Sequence, residues 1–482
     1  MLEELLYDID YQLIQGNLQQ EISHIAYDSR NVKDHTLFVC IRGLKKDGHD
    51  FIDQAIEKGA TVIVVEKEVV YDKTITYIKV KDTRIALALL SCAYYHHPSH
   101  QMIVIGVTGT KGKTTTSFMI ETILRKAKYK VGMIGTIGTY INGKFYQTMN
   151  TTPESYVIQK IMRKMVDEGC QYCVMEVSSQ GLMLHRVTGI DFDYGVFTNL
   201  SSDHIGEGEH RSFEHYMECK KKLFHMCKIG IFNHDDPHSL SIRQSTNCLA
   251  KTFGFHEDSD LYVDHFIPIT YQQKLGVCFD TLGENNMSIF LSLPGKFNIY
   301  NALAAILICF CLKIEPTYIQ EGLQKVCIPG RLEFVNTPLP CTVIIDYAHN
   351  PLAYENLFQM LKDYHPSHIY CVYGAGGHRD RHRRLEVGKI VAKNHAFSIV
   401  TADNPRGEDV LQICADIVQG IRVYNGEYRV IVDRKQAIHY ALKHADEGDF
   451  ILCLGKGHEN YQIIDQVPLS FSERQIIEEY FI

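Results

Sequence analysis

The sequence predicts an α/β fold with three domains. Short apolar segments rich in β-branched residues alternate with amphipathic helical segments along the chain, which is typical of parallel sheets covered by helices. The chain has 482 residues, and at about 150 residues per domain this length predicts about three domains. In addition, a glycine-rich turn joins one apolar strand directly to a helix, as in nucleotide-binding α/β units.

The first predicted domain, residues 1–98, is a small α/β unit. Its strands are expected at 36–41, 61–66 and 75–80, and its helices at 52–58 and 83–95. A polar connector that contains a proline, residues 96–101, leads out of it.

The second predicted domain, residues 99–330, has a mostly parallel sheet of the P-loop ATPase type. Its strands are expected at 102–107, 172–177, 194–199 and 229–233, and residues 258–293 alternate like an antiparallel insertion. The third predicted domain, residues 331–482, has strands at 342–346, 369–373, 397–401 and 450–454. Its regular alternation of strands and helices predicts a doubly wound, Rossmann-like sheet.

Charge, cysteine distribution and hydropathy narrow the classes of function. The formal net charge of −8 argues against nucleic acid or an anionic membrane as a partner, since either would favour a basic face. Fifteen cysteines are scattered, several of them inside apolar runs, which indicates reduced thiols. The chain begins with acidic residues, and no apolar run reaches about 18 residues. We therefore expect a cytoplasmic monomer that acts on small molecules.

The turn after the strand at 102–107 has the residue types that bind nucleotide phosphates. Its glycines let backbone N–H groups converge on phosphate oxygens, Lys113 adds a positive charge, and the Thr114 hydroxyl can ligate Mg²⁺. The strict P-loop pattern fails, because the position five residues before Gly112 is Val107 and the preceding glycine is Gly106. A glycine-rich turn without a ligand is the alternative. The candidate ATP-binding residues here are Gly109, Thr110, Lys111, Gly112, Lys113, Thr114 and Thr115.

A carboxylate and an imidazole follow two other strands of this domain. Glu176 lies near the end of the strand at 172–177, and His204 follows the strand at 194–199. The carboxyl ends of parallel strands share one edge of an open sheet, where ligands bind. Beside a phosphate loop this pair suits Mg²⁺, which would reduce the repulsion between a phosphate and an attacking carboxylate. The alternative for His204 is a structural histidine.

A series of motifs along nearly the whole chain resembles the Mur ligases of peptidoglycan synthesis. In the order of that family, they are the phosphate loop, Glu176-Val-Ser-Ser, Thr198-Asn-Leu followed by Asp203-His204, Asn298-Ile-Tyr-Asn301, Gly330-Arg331-Leu-Glu333, Asp346-Tyr-Ala-His349-Asn350-Pro351 and Gly455-Lys-Gly-His458-Glu459. Near the start, Tyr27-Asp28-Ser29-Arg30 resembles the UDP-binding domain of members that add the third residue of the peptide. The resemblance implies ATP and Mg²⁺ as cofactors. It also implies that the offset glycine of the phosphate loop is normal, because members of that family have the same spacing.

The resemblance implies roles for individual residues of the first two domains. The implied catalytic residues are Lys113, Glu176, His204 and Lys220. The implied magnesium ligands are Thr114, Glu176, His204 and a carbamylated Lys220, since a carbamate turns a cationic lysine into an anion. A solvated helix face shared with the two following lysines is the alternative for Lys220. The residues implied to bind the UDP-muramoyl-dipeptide are Ser29, Thr151, Thr152, Ser178 and Arg186.

Further roles follow for the nucleotide and for the incoming amino acid. The additional ATP contacts are Asn301, Arg331 and Asp346. The implied amino-acid-binding residues are Arg379, Asp403, Asn404, Pro405, Arg406, Gly455 and Glu459. The segment 403–406 resembles that of members that add meso-diaminopimelate, and a guanidinium at Arg406 would bind the distal carboxylate of this substrate and repel the terminal amine of lysine. A surface arginine is the alternative.

The implied activity is an ATP-dependent ligation of a diamino acid to UDP-N-acetylmuramoyl-L-alanyl-D-glutamate through an acyl phosphate. Four alternatives stay open: the same ligation with L-lysine or another diamino acid, a ligase like folylpolyglutamate synthetase, a non-catalytic muropeptide-binding sensor, and a phosphotransferase that stops at the phosphate. The sequence departs from the family's usual residues around the expected substrates, at Lys111, Leu184, His378 and residues 205–210.

Overall fold

Strands and helices alternate along the chain, as the sequence predicts. The computed structural model describes residues 1–43, 46–202, 205–206, 209–271 and 273–482. Numbered in chain order, the strands are β1 (Tyr11–Gln15), β2 (His24–Ala26), β3 (Thr36–Val39), β4 (Ala60–Val65), β5 (Thr76–Val80), β6 (Ile103–Thr108), β7 (Val131–Ile134), β8 (Thr139–Ile141), β9 (Lys144–Tyr146), β10 (Tyr172–Glu176), β11 (Phe192–Phe197), β12 (Cys227–Asn233), β13 (Leu249–Gly254), β14 (Leu261–Tyr262), β15 (Phe266–Tyr271), β16 (Lys274–Gly283), β17 (Met287–Leu291), β18 (Glu333–Val335), β19 (Thr342–Asp346), β20 (Ile369–Tyr373), β21 (Phe397–Val400), β22 (Tyr428–Val430), β23 (Phe450–Leu454), β24 (Tyr461–Ile464) and β25 (Val467–Ser470). The helices are α1 (Leu2–Leu5), α2 (Ile52–Glu57), α3 (Thr83–Tyr94), α4 (Lys113–Lys126), α5 (Ser155–Asp167), α6 (Ser179–Met183), α7 (Phe213–His225), α8 (Ser239–Gln244), α9 (Lys296–Cys311), α10 (Pro316–Lys325), α11 (Pro351–Leu361), α12 (Arg381–Lys393), α13 (Val410–Arg422), α14 (Arg434–His444) and α15 (Glu473–Glu479).

The chain divides into two units. The first comprises Met1–Asp264, Leu282–Asn286 and Tyr300–Gly322, and the second comprises His265–Thr281, Met287–Ile299 and Leu323–Ile482. The domain boundaries expected near residues 98 and 330 stay predictions. Within the described residues, no helix combines the length and the apolar character that crossing a membrane requires.

The N-terminal sheet of the first unit has the order β1-β5-β4-β3-β2. Strands β2 to β5 are parallel, and β1 pairs with β5 as an antiparallel edge. The unbroken apolar run of β4 fits this position because both faces of the strand are covered: Val62 and Val64 join one buried cluster, and Ile63 and Val65 join the other.

The central sheet of the first unit includes the order β14-β13-β12-β11-β6-β10-β7-β8-β9. Strand β6 lies between β10 and β11 and is parallel to both, with Glu176 opposite Val107 and Phe197 opposite Thr108. This register brings three chain segments together at one sheet edge: the turn after β6, the end of β10 and the residues that follow β11. The fold thereby confirms the mostly parallel sheet that the sequence predicts around the phosphate loop.

The second unit contains a sheet of order β18-β19-β23-β20-β21-β22. Strands β19 to β23 of this sheet are parallel, and β18 is an antiparallel edge. Strands β15, β16 and β17 pair antiparallel, as expected for the alternating segment at 258–293. Most predicted strands differ from the observed bounds by one or two residues.

Candidate active site

The phosphate loop between β6 and α4 requires glycine at two positions. Gly112 caps α4 with φ +87°, and a Cβ added there would lie 2.3 Å from Asn301 Oδ1. Gly109 has φ +148°, and its Cβ would lie 1.9 Å from Thr198 Oγ1. Both positions therefore combine a left-handed backbone with a close approach that excludes a side chain.

Residues at the end of β11 hold this loop. The Thr198 hydroxyl donates to the Lys111 carbonyl at 2.6 Å, and the Asn199 side-chain carbonyl accepts from the Lys111 N–H at 2.9 Å. The backbone N–H of Thr110 donates to the Asn199 carbonyl at 2.8 Å. The loop is thus fixed to the neighbouring parallel strand directly before the N-terminus of α4, the kind of helix end that binds anions. Thr115 lies in the first turn of α4.

Two lysines converge on the loop carbonyls. Lys113 Nζ donates to the Gly109 carbonyl at 2.9 Å, and Lys220 Nζ, from α7, donates to the same carbonyl at 2.8 Å. The Lys220 side chain is only 1% exposed, and its ammonium lies 4.5 Å from the Tyr216 ring centroid. In contrast, Lys221 pairs with Glu218 at 2.7 Å. Lys220 therefore lies at the loop and not on a solvated helix face.

Glu176 ends β10 beside the loop and is surrounded by oxygen and N–H groups. It is 1% exposed, and its Oε2 accepts hydrogen bonds from the hydroxyls of Thr114 and Thr136, each at 2.9 Å. Its Oε1 accepts from the Thr136 N–H at 2.9 Å. A carboxylate beside two hydroxyls is a set of hard oxygen donors, the kind that Mg²⁺ prefers. Its expected companion His204 lies outside the described residues.

The residues predicted to bind the muropeptide adjoin Glu176. The Thr152 hydroxyl donates to the Glu176 carbonyl at 2.8 Å and accepts from the Ser178 N–H at 2.9 Å. Arg186 donates to the Thr152 carbonyl at 3.0 Å, and the Thr151 hydroxyl lies 3.0 Å from the hydroxyl of Thr136. This segment and the phosphate loop therefore share one sheet edge.

Ser29 and Asn301 lie elsewhere in the first unit. Ser29 follows β2, is buried, and donates through its hydroxyl to Gln54 Oε1 at 2.6 Å. Asn301 lies on α9, where its Oδ1 accepts from the Thr116 hydroxyl at 3.3 Å beside Gly112. The uridine-diphosphate role of Ser29 and the adenine role of Asn301 stay predictions.

In the second unit, Asp346 ends β19 in a partly buried position. Its carboxylate accepts from the backbone N–H groups of Leu332 at 2.8 Å and Ala348 at 2.7 Å, while burial raises the pKa of Asp346. The neighbouring Arg331 guanidinium lies 4.8 Å from the Tyr347 ring centroid. The carboxylate thus fixes the turn that carries Arg331.

Two of the residues predicted to bind the amino acid, Asn404 and Glu459, form a hydrogen-bonded cluster with Lys456 in this unit. Asn404 donates to Glu459 Oε2 at 2.8 Å, and Lys456 Nζ donates to Asn404 Oδ1 at 3.2 Å. The Lys456 side chain is fully buried, and burial lowers its pKa. A Cβ built on Gly455 would lie 2.5 Å from Asp403 Oδ2, so this glycine lets the two segments meet.

Two arginines border the same cluster across a glycine turn. A Cβ at Gly376 would lie 3.3 Å from Arg406 Nη1 and 3.5 Å from Arg379 Cγ. Arg406 has φ +52°, and its backbone N–H donates to the Ile463 carbonyl at 3.2 Å. A left-handed backbone at a non-glycine residue costs free energy and often marks a functional position. The adjacent Pro405 is buried.

Three residues with hydrogen bonds near the candidate site residues were not predicted from the sequence. Thr136 was not singled out because it lies in the loop after β7, remote in sequence from Glu176. Lys456 lies inside the motif that begins at Gly455, but the sequence does not show that its side chain is buried. Arg384 is 1% exposed, and its guanidinium donates to Glu408 at 2.7 and 2.8 Å and to Asp416 at 3.0 Å. The basic run 381–384 contains several arginines, and nothing in the sequence indicates which of them is buried.

Comparisons with known families agree with this fold. The profile of the Mur ligase family, catalytic domain, matches residues 21–95, that of the Mur ligase middle domain matches 107–309, and that of the Mur ligase, glutamate ligase domain, matches 330–457. These matches cover most of the chain in the order in which the sheets occur. The chain belongs to the Mur ligase family.

Individual relatives share one name. The chain is 40% identical over 484 residues to UDP-N-acetylmuramoyl-L-alanyl-D-glutamate--2,6-diaminopimelate ligase of Clostridium perfringens (strain 13 / Type A), covering 99% of this chain and 98% of the relative. It is 42% identical over 485 residues to the ligase of the same name from Clostridium botulinum (strain ATCC 19397 / Type A), covering 99% of each chain. A solved structure of a ligase with this name matches with a TM-score of 0.74 and 26% identity, covering 98% of this chain and 96% of the other.

Proposed function

We propose that the protein uses ATP to join meso-2,6-diaminopimelate to the D-glutamate carboxylate of UDP-N-acetylmuramoyl-L-alanyl-D-glutamate. The observation that carries this proposal is the convergence of Lys113, Lys220 and the buried Glu176 on one phosphate loop. The names of the relatives supply the substrates. The free thiols of the cysteines fit a reducing compartment, and we place the reaction in the cytoplasm.

The proposed reaction has two steps. First, an oxygen of the D-glutamate carboxylate attacks the γ-phosphorus of ATP, and the bond between this phosphorus and the β,γ-bridging oxygen breaks to release ADP. Second, the amine of the diamino acid attacks the acyl carbon, inorganic phosphate leaves with the bonding electrons, and the nitrogen loses a proton. The carboxylate needs this activation because it is a poor electrophile in water.

The first unit supplies the positive charge for the first step. Lys113 and the N-terminus of α4 face the phosphate position and would stabilise the charge that develops on the transferred group. Thr114 and Glu176 fit a magnesium ion because they offer oxygen donors at the loop, and His204 and a carbamate on Lys220 would complete its ligands. Bound there, the ion would reduce the repulsion between the two anionic reactants.

The cluster in the second unit supports the choice of amino acid. The Arg406 guanidinium can bind the distal carboxylate of diaminopimelate in a bidentate manner, while the Glu459 carboxylate can accept from its distal ammonium group. Asn404 is held between Glu459 and Lys456, so its side chain is oriented before any ligand arrives. Lysine lacks the distal carboxylate and would leave Arg406 without an anionic partner.

Product analysis tests this proposal. The protein is incubated with ATP, Mg²⁺ and UDP-muramoyl-dipeptide, and separately with meso-diaminopimelate, L-lysine or L-ornithine, and the products are weighed by mass spectrometry. We expect amide product mainly with diaminopimelate. Faster incorporation of lysine would overturn the substrate, and phosphate release without amide would indicate a phosphotransferase. Absence of any substrate-dependent phosphate release would favour a binding sensor.

Two variants sharpen the assignment of selectivity. Arg406→Ala should lose the preference for diaminopimelate over lysine by about tenfold or more, since a charge-assisted bidentate pair is removed. Arg422→Ala, which changes an exposed arginine on α13, is the matched control and should keep the preference. Unchanged selectivity in Arg406→Ala would remove this residue from substrate recognition.

A further inference from the structure

We propose that His210, His215 and Cys219 form a binding site for Zn²⁺. One nitrogen or sulfur donor from each residue lies within 4.8 Å of the donors of the other two. His215 and Cys219 are four residues apart on α7, so their side chains share one face of the helix, and His210 lies just before the helix begins.

The spacing of these donors fits a tetrahedral metal. Cys219 Sγ lies 3.6 Å from His215 Nε2. Zinc binds sulfur at about 2.3 Å and imidazole nitrogen at about 2.0–2.1 Å, which separates two ligands at the tetrahedral angle by about 3.5 Å. Only small side-chain movements are therefore needed to bring the donors around one ion.

Two of the three donor residues are shielded from solvent. His210 is 1% exposed and Cys219 is 2% exposed. Zinc would bind the Cys219 sulfur as a thiolate, with the thiol proton released to solvent, and would bind each imidazole through a neutral nitrogen lone pair. Three protein ligands leave a fourth position for a water molecule.

A hydrogen bond behind His210 orients its ring. His210 Nε2 lies 2.8 Å from Ser179 Oγ, at the start of α6. Metal-binding imidazoles typically donate their second ring N–H to such a partner, which fixes the tautomer and directs the other nitrogen to the metal. Within the described part of the chain, the Nδ1 of His215 has no hydrogen-bond partner, so its ring can turn either nitrogen to the ion.

This site differs chemically from the magnesium site proposed at Glu176. Nitrogen and sulfur donors select Zn²⁺, whereas Mg²⁺ prefers oxygen ligands and keeps its water molecules. Bound zinc would link α7 to the chain segment that precedes it, beside Lys220. The site is thus an addition to the ligase chemistry, and its presence does not depend on the proposed reaction.

Packing of the rings alone is the competing explanation. The His210 ring centroid lies 5.1 Å from that of His215 and 5.1 Å from that of Tyr216, which are ordinary aromatic contacts. Such packing would bind no metal.

Zinc titration of the unmodified chain distinguishes a zinc site from packing of the rings alone. Metal-stripped protein is dialysed against Zn²⁺ in the presence of excess Mg²⁺, so that oxygen-rich sites are occupied, and bound zinc is measured by elemental analysis. We expect one tightly bound Zn²⁺ per chain, with affinity lowered at least tenfold in Cys219→Ser and in His215→Gln. Cys414→Ser, which changes a buried cysteine on α13, is the matched control and should bind zinc like the unmodified chain.

Cobalt substitution adds a measurement that needs no variant. Co²⁺ in this site should give a thiolate-to-metal charge-transfer band in the near ultraviolet, and Cys219→Ser should lack it. Circular dichroism of each variant checks that it is folded. Zinc binding that is equal in Cys219→Ser, or a Co²⁺ spectrum of the unmodified chain without the thiolate band, would overturn the proposal and leave ring packing as the explanation.

Discussion

Thr136 donates to both carboxylate oxygens of Glu176, through its backbone N–H to Oε1 and through its hydroxyl to Oε2, each at 2.9 Å. The two bonds fix the carboxylate in one orientation beside Thr114. They also connect β7 to β10 at the edge of the sheet where the phosphate loop lies. As the proposed magnesium ligand, Glu176 would not have to be ordered when the ion binds.

Removal of the Thr136 hydroxyl should therefore weaken magnesium binding. For Thr136→Val we expect a requirement for about tenfold to 100-fold more Mg²⁺ in ATP-dependent phosphate release, because one of the bonds that orient Glu176 is lost. The measurement is the rate as a function of Mg²⁺ concentration. Thr139→Val is the matched control, since the Thr139 hydroxyl has no hydrogen-bond partner in the described residues. An unchanged Mg²⁺ requirement in Thr136→Val would show that the hydroxyl does not position the carboxylate.

Lys220 should be essential, whereas its neighbour on the same helix should not. Lys220→Ala removes the buried side chain that reaches the Gly109 carbonyl, and we expect kcat to fall about 100-fold or more. Lys222→Ala changes a half-buried lysine two residues further on and should keep kcat within about twofold.

The predicted carbamate on Lys220 can be tested for directly. Protein equilibrated with ¹³C-bicarbonate should show a carbamate signal by NMR that is absent from Lys220→Ala and present in Lys222→Ala. Full activity of Lys220→Ala, or the same carbamate signal in that variant, would contradict the assignment of Lys220.

Gly112→Ala should destabilise the protein through two separable effects. The residue would keep an unfavourable left-handed backbone, which costs about 1–2 kcal/mol, and its Cβ would displace the buried Asn301 side chain. Gly143→Ala is the matched control, because φ is similar at +81° but no atom lies within 4 Å of the added Cβ. Thermal unfolding should therefore show a larger loss for Gly112→Ala, together with weaker ATP binding.

A double variant tests the steric part of this prediction. If the clash with Asn301 matters, Gly112→Ala combined with Asn301→Ala should be less destabilised than the sum of the two single changes. Additive effects would assign the whole loss at Gly112 to backbone strain.

The ion pair between Glu408 and Arg384 should make stability depend on pH. The hydrogen bonds from Arg384 lower the pKa of Glu408 from 4.5 to about 2. Because the folded state has the lower pKa, the pair stabilises the fold above pH 4.5, and this contribution is lost as pH falls from 4.5 towards 2. Glu408→Gln should therefore unfold at lower urea concentration than the unmodified chain at pH 7.

The difference in unfolding urea concentration between Glu408→Gln and the unmodified chain should shrink as the solution is acidified. It should be small near pH 2. Glu386→Gln, which changes a partly exposed carboxylate on α12, should show little difference at any pH. If the unfolding urea concentration of Glu408→Gln stays below that of the unmodified chain by a constant amount from pH 7 to pH 3, the ionised carboxylate is excluded as the source of the difference.

Continuous apolar strands were the most predictable part of the fold. Strands β19, β20 and β23 were predicted with the bounds that the structure has, because strands buried on both faces form continuous apolar runs. The edge strands β1 and β25 were missed. These strands are largely exposed and show no clear alternation of apolar and polar residues. They form strands because they pair with a neighbouring strand.

Candidate site residues that lie next to a strand end could be singled out from the sequence, and those that act through tertiary contacts could not. Lys113 and Glu176 were singled out because spacing and strand position point to phosphate chemistry, and their roles stay predictions. Nothing in the sequence around Thr136, Lys456 or Arg384 shows which partner each side chain meets. Their relevance depends on distances across the fold, such as the 2.7 Å between Arg384 and Glu408.

The buried Lys456 also affects the charge balance of the amino-acid cluster. Among the residues of this cluster and its border, Arg379, Arg406 and Lys456 are cationic and Asp403 and Glu459 are anionic, so these five side chains carry one excess positive charge. The distal end of diaminopimelate carries one ammonium and one carboxylate and is neutral, whereas the end of lysine is a lone cation. Discrimination between the two amino acids would then arise from the long-range field of the whole cluster as well as from the Arg406 contact, and it should weaken as ionic strength rises.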